Sequence, residues 1–307
     1  MLKLATFIYC FTLCCWGQTQ TPSGPRVEVS VVHSAGLEGA ARRVRARHAA
    51  LCERVKRRTG LNLPERIEVH LTSSHGSFNA TIRQLGGDSR PEHIAAVAFP
   101  YQDVIVMKTT AWIQNRGGFE QLYMHELTHC AIGVLRQRQP IDIPHWFEEG
   151  LAQFAANSSF VKQSDVLDLA IDRDSTIPFS RLENAFPAQE GATALAYAQS
   201  LSLVRFLHKY QTKAPDRRRR LTAMLRQLAR GSSFKETLKL STGLEPGQLE
   251  AAWLGEMQKQ SSLSLRQLPA LVFGGLLLVV TLLLLARQKV RRARLLQSMA
   301  EEEAEVD

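Results

Sequence analysis

The 307-residue chain reads as an α+β fold, with a small, mostly antiparallel amino-terminal sheet, a helix pair, an all-helical carboxy-terminal part and one transmembrane helix. Three observations predict this. Segments near the start alternate apolar and polar residues, the mark of half-buried strands. From Gly117 onward the apolar spacing turns helical and stays so. Near the end, LPALVFGGLLLVVTLLLLA (268–286) carries no charge over the length of a spanning helix. Strands first and helices afterwards describe α+β rather than alternating βαβ units.

RVEVSVVH (26–33) places Val27, Val29 and Val31 on one face of a strand. A helix follows over 37–60, with Ala41, Val44, His48, Leu51, Cys52 and Val55 at helical spacing and Gly60 as its stop. ERIEVHLTS (65–73) and DVIVMKTT (103–110) are two further strands, and the polar stretch between them, with GGDSRPEH, reads as a loop. Helices are expected at 118–136, 144–157, 192–210, 215–230, 233–242 and 245–260, separated by Pro and Gly.

The two ends predict export. MLKLATFIYCFTLCCWGQTQ has Lys3 ahead of a short apolar run, the shape of a signal peptide cleaved after Gly17. The segments are then a signal peptide (1–17), an exported domain (18–262), the span at 268–286 and a tail (287–307). Within the domain, 26–116 holds the sheet and 117–260 is helical. RQKVRRAR (287–294) places the tail in the cytoplasm by the positive-inside rule. The chain carries +9 in all, and setting Lys3 aside leaves about +8 on the exported part.

The basic runs at Arg42–Arg47, Arg54–Arg58 and 217–220 lie on predicted helices with apolar opposite faces and no interleaved aromatics. Solvated helix faces explain them, and nucleic acid is excluded as a partner. The short link 261–268 leaves contact with anionic lipid head groups open. Beyond the signal only Cys52 and Cys130 remain, which fits either one disulfide or two buried thiols.

The chemistry sits in MHELTHC (124–130) and PHWFEEGLAQF (144–154). His125 and His129, four apart on a helix, project both imidazoles from one face and can reach one Zn²⁺. Glu126, about 100° further round, stands beside a metal-bound water rather than among the ligands. HExxH is the sequence form of that arrangement. A third ligand is available on the second helix, from Glu148 or Glu149, with His145 nearby.

HELTH followed by WFEEGLAQF resembles the gluzincin zinc metallopeptidases, and the order HE-x-x-H, P-x-W-x-x-EG-x-A is similar to the peptidase-MA-like domain of bacterial envelope proteins. The resemblance spans most of 26–258, including SFNAT (77–81) and ARGSSFKETL (229–238). It implies a zincin helix pair with one Zn²⁺ per chain, held by His125, His129 and Glu149, the Glu directly before Gly. Nineteen residues separate His129 from Glu149, as in the thermolysin-like pattern; an aminopeptidase-like spacing selects Glu148. Glu126 is implied as general base, and Tyr197, in GATALAYAQSLSLVRFL, as oxyanion donor, although the Lys-Gly pair expected after it is replaced by Gln199 and Ser200. Where thermolysin-like enzymes carry an Asp that orients a ligand, this chain has Gln153.

The implied protein is a single-pass enzyme of the bacterial inner membrane with a periplasmic catalytic domain and a peptide or protein substrate. DVIVM (103–107) is expected as an edge strand that pairs with an extended peptide. The absence of a GxMEN motif favours endopeptidase over aminopeptidase action. The alternative is an inactive domain of the same fold serving as a tethered protein-binding scaffold, but all four site residues are present.

Overall fold

The computed structural model describes residues 27–114, 118–138, 141–157, 161–183, 186–187, 189–209, 220–260 and 276–289. The predicted signal peptide, most of the RRRR run and the carboxy-terminal tail beyond residue 289 lie outside them. Three early elements form where the apolar pattern places them: β1 (Glu28–His33), α1 (Glu38–Thr59) and β2 (Arg66–Thr72). Ala41, Val44, His48, Leu51, Cys52 and Val55 all point inward from α1. Gly60 ends that helix at φ 73°, a left-handed conformation that a side chain would strain.

The stretch expected as a loop instead contains α2 (His75–Gln84) and β3 (Ala96–Phe99). Ser74 and Ser77 form a reciprocal capping box that starts α2, and Phe78 and Ile82, one turn apart, anchor it. β4 (Val104–Lys108) follows after a tight turn.

The four strands are ordered β1-β2-β4-β3. β1 with β2 and β2 with β4 are parallel, and only β3 with β4 is antiparallel. The expected mostly antiparallel sheet is therefore a mixed one. α1 carries the chain back across the sheet between β1 and β2, a crossover that permits parallel pairing. β4 is interior and buried on both faces, so it is not the expected edge strand; β3 is the edge beside it.

α3 (Ala111–Gln114) and then α4 (Gly118–Arg138) follow the sheet. The remaining helices are α5 (His145–Ala156), α6 (Val161–Asp172), α7 (Phe179–Leu182), α8 (Glu190–Lys209), α9 (Arg220–Leu228), α10 (Phe234–Thr242) and α11 (246–260). The core divides into three clusters. α1, α4 and one sheet face share the first, and α2 covers the other face over Val104 and Val106. The third joins the far side of α4 to α5 through α11 around Trp146, Phe147 and Trp253. α4 thus supplies Tyr123, Leu127 and Cys130 to one core and Ala131, Ile132 and Leu135 to another.

The transmembrane helix expected at 268–286 is overturned: among the described residues no helix is long and apolar enough to cross a membrane. The described part of that region is a helix over 276–289. Residues 268–275 lie outside the described residues.

Candidate metal centre

α4 and α5 build the site. His125 and His129 lie one turn apart on α4, with ring centroids 4.9 Å apart and planes at 72°. Pro144 precedes α5 at φ −56°, a backbone setting its ring favours, and the His145 N–H donates to the Glu183 carbonyl at 2.7 Å. Glu148 therefore falls in the first turn of α5 and Glu149 directly after it, both reaching the histidines of α4.

Gly150 explains how closely α8 can approach. A Cβ at this position would lie 2.3 Å from the Ser200 carbonyl oxygen, so the two backbones touch only because no side chain intervenes. Gly133 serves α4 in the same way: a Cβ there would stand 2.5 Å from the Pro100 carbonyl oxygen, just past β3. These contacts press the sheet edge and α8 against the helix pair from two sides.

Three donor groups converge. The Nε2 atoms of His125 and His129 are 3.2 Å apart. His125 Nε2 lies 3.4 Å from Glu149 Oε2, and His129 Nε2 lies 3.7 Å from Glu149 Oε1. Donor atoms of a tetrahedral zinc with bonds of about 2.0–2.1 Å stand about 3.3–3.4 Å apart, so the set fits one ion. Glu149 Oε2 is buried without a hydrogen-bond partner, the position of an atom that needs a cation. Among the described residues, His125, His129 and Glu149 are the group able to hold a metal. His145 is not part of it and packs edge-on against Phe186, with ring centroids 4.5 Å apart.

Glu148 turns to the other side of His129. Its Oε1 accepts from His129 Nδ1 at 3.2 Å, and its Oε2 accepts from Arg136 at 2.7 Å. Gln153 does not orient a histidine; its Nε2 donates to the Tyr197 carbonyl at 3.1 Å. Glu148 and Arg136 are contacts that motif reasoning missed, although the paired Glu before Gly150 was a visible signal.

The electrostatics follow from burying three carboxylates beside two imidazoles. Burial raises Glu126, helped by the Glu149 charge and opposed by both histidines and by a hydrogen bond from the Ala98 backbone. Burial alone would lower His129, but Glu149, Glu148 and Glu126 outweigh it and push it up to about 9. Burial works against ionised Glu148, but His129 and Arg136 prevail and hold it at about 2. Glu149 likewise falls below the usual carboxylate range despite its burial, through His129, His125 and His145.

Tyr197, from α8, packs edge-on against Phe186 with centroids 5.0 Å apart. Burial raises its hydroxyl pKa, and the Glu149 and Glu126 charges raise it further, against an opposing Arg90. The phenol therefore stays protonated and feels the carboxylates of the site.

A sequence model of the peptidase MA superfamily matches residues 49–259, which takes in β2, the helix pair and most of the helical part. The chain belongs to the peptidase MA superfamily. No curated protein sequence matches it. As a peptidase MA protein it carries the HExxH helix as α4 and the EG helix as α5.

The basic runs have internal uses. Arg47 and Arg54 pair with Glu120 of α4, and the Arg43 guanidinium lies 5.3 Å from the Phe119 ring centroid. Arg58 donates to the carbonyls of Phe154 and Ala155 and to Asn157 Oδ1, closing the end of α5. Cys52 and Cys130 are both buried free thiols.

Proposed function

We propose that this protein is a zinc-dependent peptidase, an endopeptidase acting outside the cytoplasm. The convergence of His125 Nε2, His129 Nε2 and Glu149 on tetrahedral spacing carries the reading, with the superfamily match behind it. The amino-terminal apolar run supports the location.

His125, His129 and Glu149 would hold the zinc, which when bound supplies a Lewis acid and a water acidic enough to lose a proton near neutral pH. Glu126 is the base for that proton. Its raised pKa leaves it able to accept a proton and return it to the leaving amine. Tyr197, held protonated, donates a hydrogen bond to the oxygen of the scissile carbonyl as charge builds there. Among the described residues β3 is the edge strand beside the zinc helix, where an extended peptide can add as a further strand. Main-chain pairing of this kind reads no free terminus, which favours internal bonds.

The test uses the purified full-length chain and its Glu126→Ala variant. We expect about one zinc per chain in both, and cleavage of an unstructured protein such as casein by the wild type alone. Zinc binding without cleavage in the wild type would favour the scaffold alternative. A wild type that takes up no zinc would end the metallopeptidase reading.

A further inference from the structure

Two adjacent carboxylates on one helix reach the same imidazole ring from opposite sides. Glu149 faces the Nε2 atoms, while Glu148, about 100° round the helix, reaches the Nδ1 of His129. Glu148 has only 11 % of its side chain exposed, and both of its oxygens are engaged. Arg136 holds the second oxygen from α4 itself, seven residues beyond His129 and so on nearly the same face. The carboxylate thus spans two turns of α4.

We propose that Glu148 and Arg136 are positioning residues for His129, fixing its tautomer and ring angle for metal binding. The inference rests on the zinc reading above. In the neutral ring that a metal requires, an Nδ1–H committed to Glu148 leaves the lone pair on Nε2, which faces His125 and Glu149. Arg136 holds the Glu148 carboxylate aimed at His129, so a neighbouring pair of glutamates divides into one ligand and one orienting group. A carboxylate behind a ligating histidine also raises its basicity.

The experiment compares wild type, Glu148→Gln and Arg136→Gln by zinc competition against a chromophoric chelator, and by visible absorption of the Co²⁺-loaded chains. Glu148→Gln should weaken zinc binding by about ten- to a hundredfold, the usual cost of losing such a partner, and shift the Co²⁺ bands. Arg136→Gln should weaken it less, and it carries the test alone if Glu148→Gln does not fold. Unchanged affinity and spectra overturn the proposal, even with a lowered melting temperature, because Glu148 and Arg136 would then only brace α4 against α5. A wild type that binds no zinc overturns the metal reading itself, and is told apart because the variants then have no affinity to lose.

Discussion

Each residue of the site has an environment that suits one task. Glu126 and Glu149 are both buried, yet one is raised and the other lowered, because the histidines act more strongly on Glu149. That split separates a proton acceptor from a ligand. Glu149→Gln keeps the shape and removes the charge, so zinc content should fall to background when measured by elemental analysis. Tyr197→Phe removes one hydroxyl and leaves the ring against Phe186. Turnover should drop about 10²- to 10³-fold with little change in KM, the pattern of a donor used only in the transition state. The two histidines and Glu126 were legible from HELTH alone, since fixed helical spacing dictates their geometry. The choice of Glu149 over Glu148 came from the resemblance, through the Glu directly before Gly, because one residue of helix rotation decides it and spacing alone does not show that rotation.

Among the elements, helix-pair geometry depends on two missing side chains. Gly150→Ala would place a methyl 2.3 Å from the Ser200 carbonyl oxygen, so α5 and α8 must separate. We expect a loss of at least about 1–3 kcal/mol by urea denaturation, and weaker zinc binding as Glu149 moves with its helix. Elements with strong apolar periods were readable: α1, β2, α5 and α8 lie within a residue or two of expectation. α2 was hidden because HGSFNATIRQ is polar, with only Phe78 and Ile82 buried. β3 was hidden because four residues are too short a run for alternation to show. The parallel pairing was illegible for a different reason: one strand's side-chain pattern is the same whichever way its neighbour runs. The 268–286 run was read from its hydropathy and its basic flank, but among the described residues no helix is long and apolar enough to cross a membrane.

Across the whole molecule, the buried His48 gives folding a pH dependence. Burial lowers its pKa to about 4, and its Nδ1 lies 2.7 Å from the Tyr123 hydroxyl. An unfolded histidine titrates near 6.5, so between 6.5 and 4 the unfolded chain takes a proton that the folded chain refuses. Stability should fall by about 3 kcal/mol as pH drops through that window and level off below it. Denaturation at successive pH values should show this slope, and His48→Gln should flatten it. His129 has the opposite sign in the metal-free chain: its value of about 9 gives stability present below about 6.5 and lost as pH rises through 9.

α4 lies between the sheet-side core and the helical core and gives side chains to both. Neither half can melt without exposing the other's wall, so calorimetry should record a single transition, with equal van't Hoff and calorimetric enthalpies. Ligands on that helix would then stabilise the entire chain by mass action rather than one flap of it, and chelation would lower the one melting temperature there is.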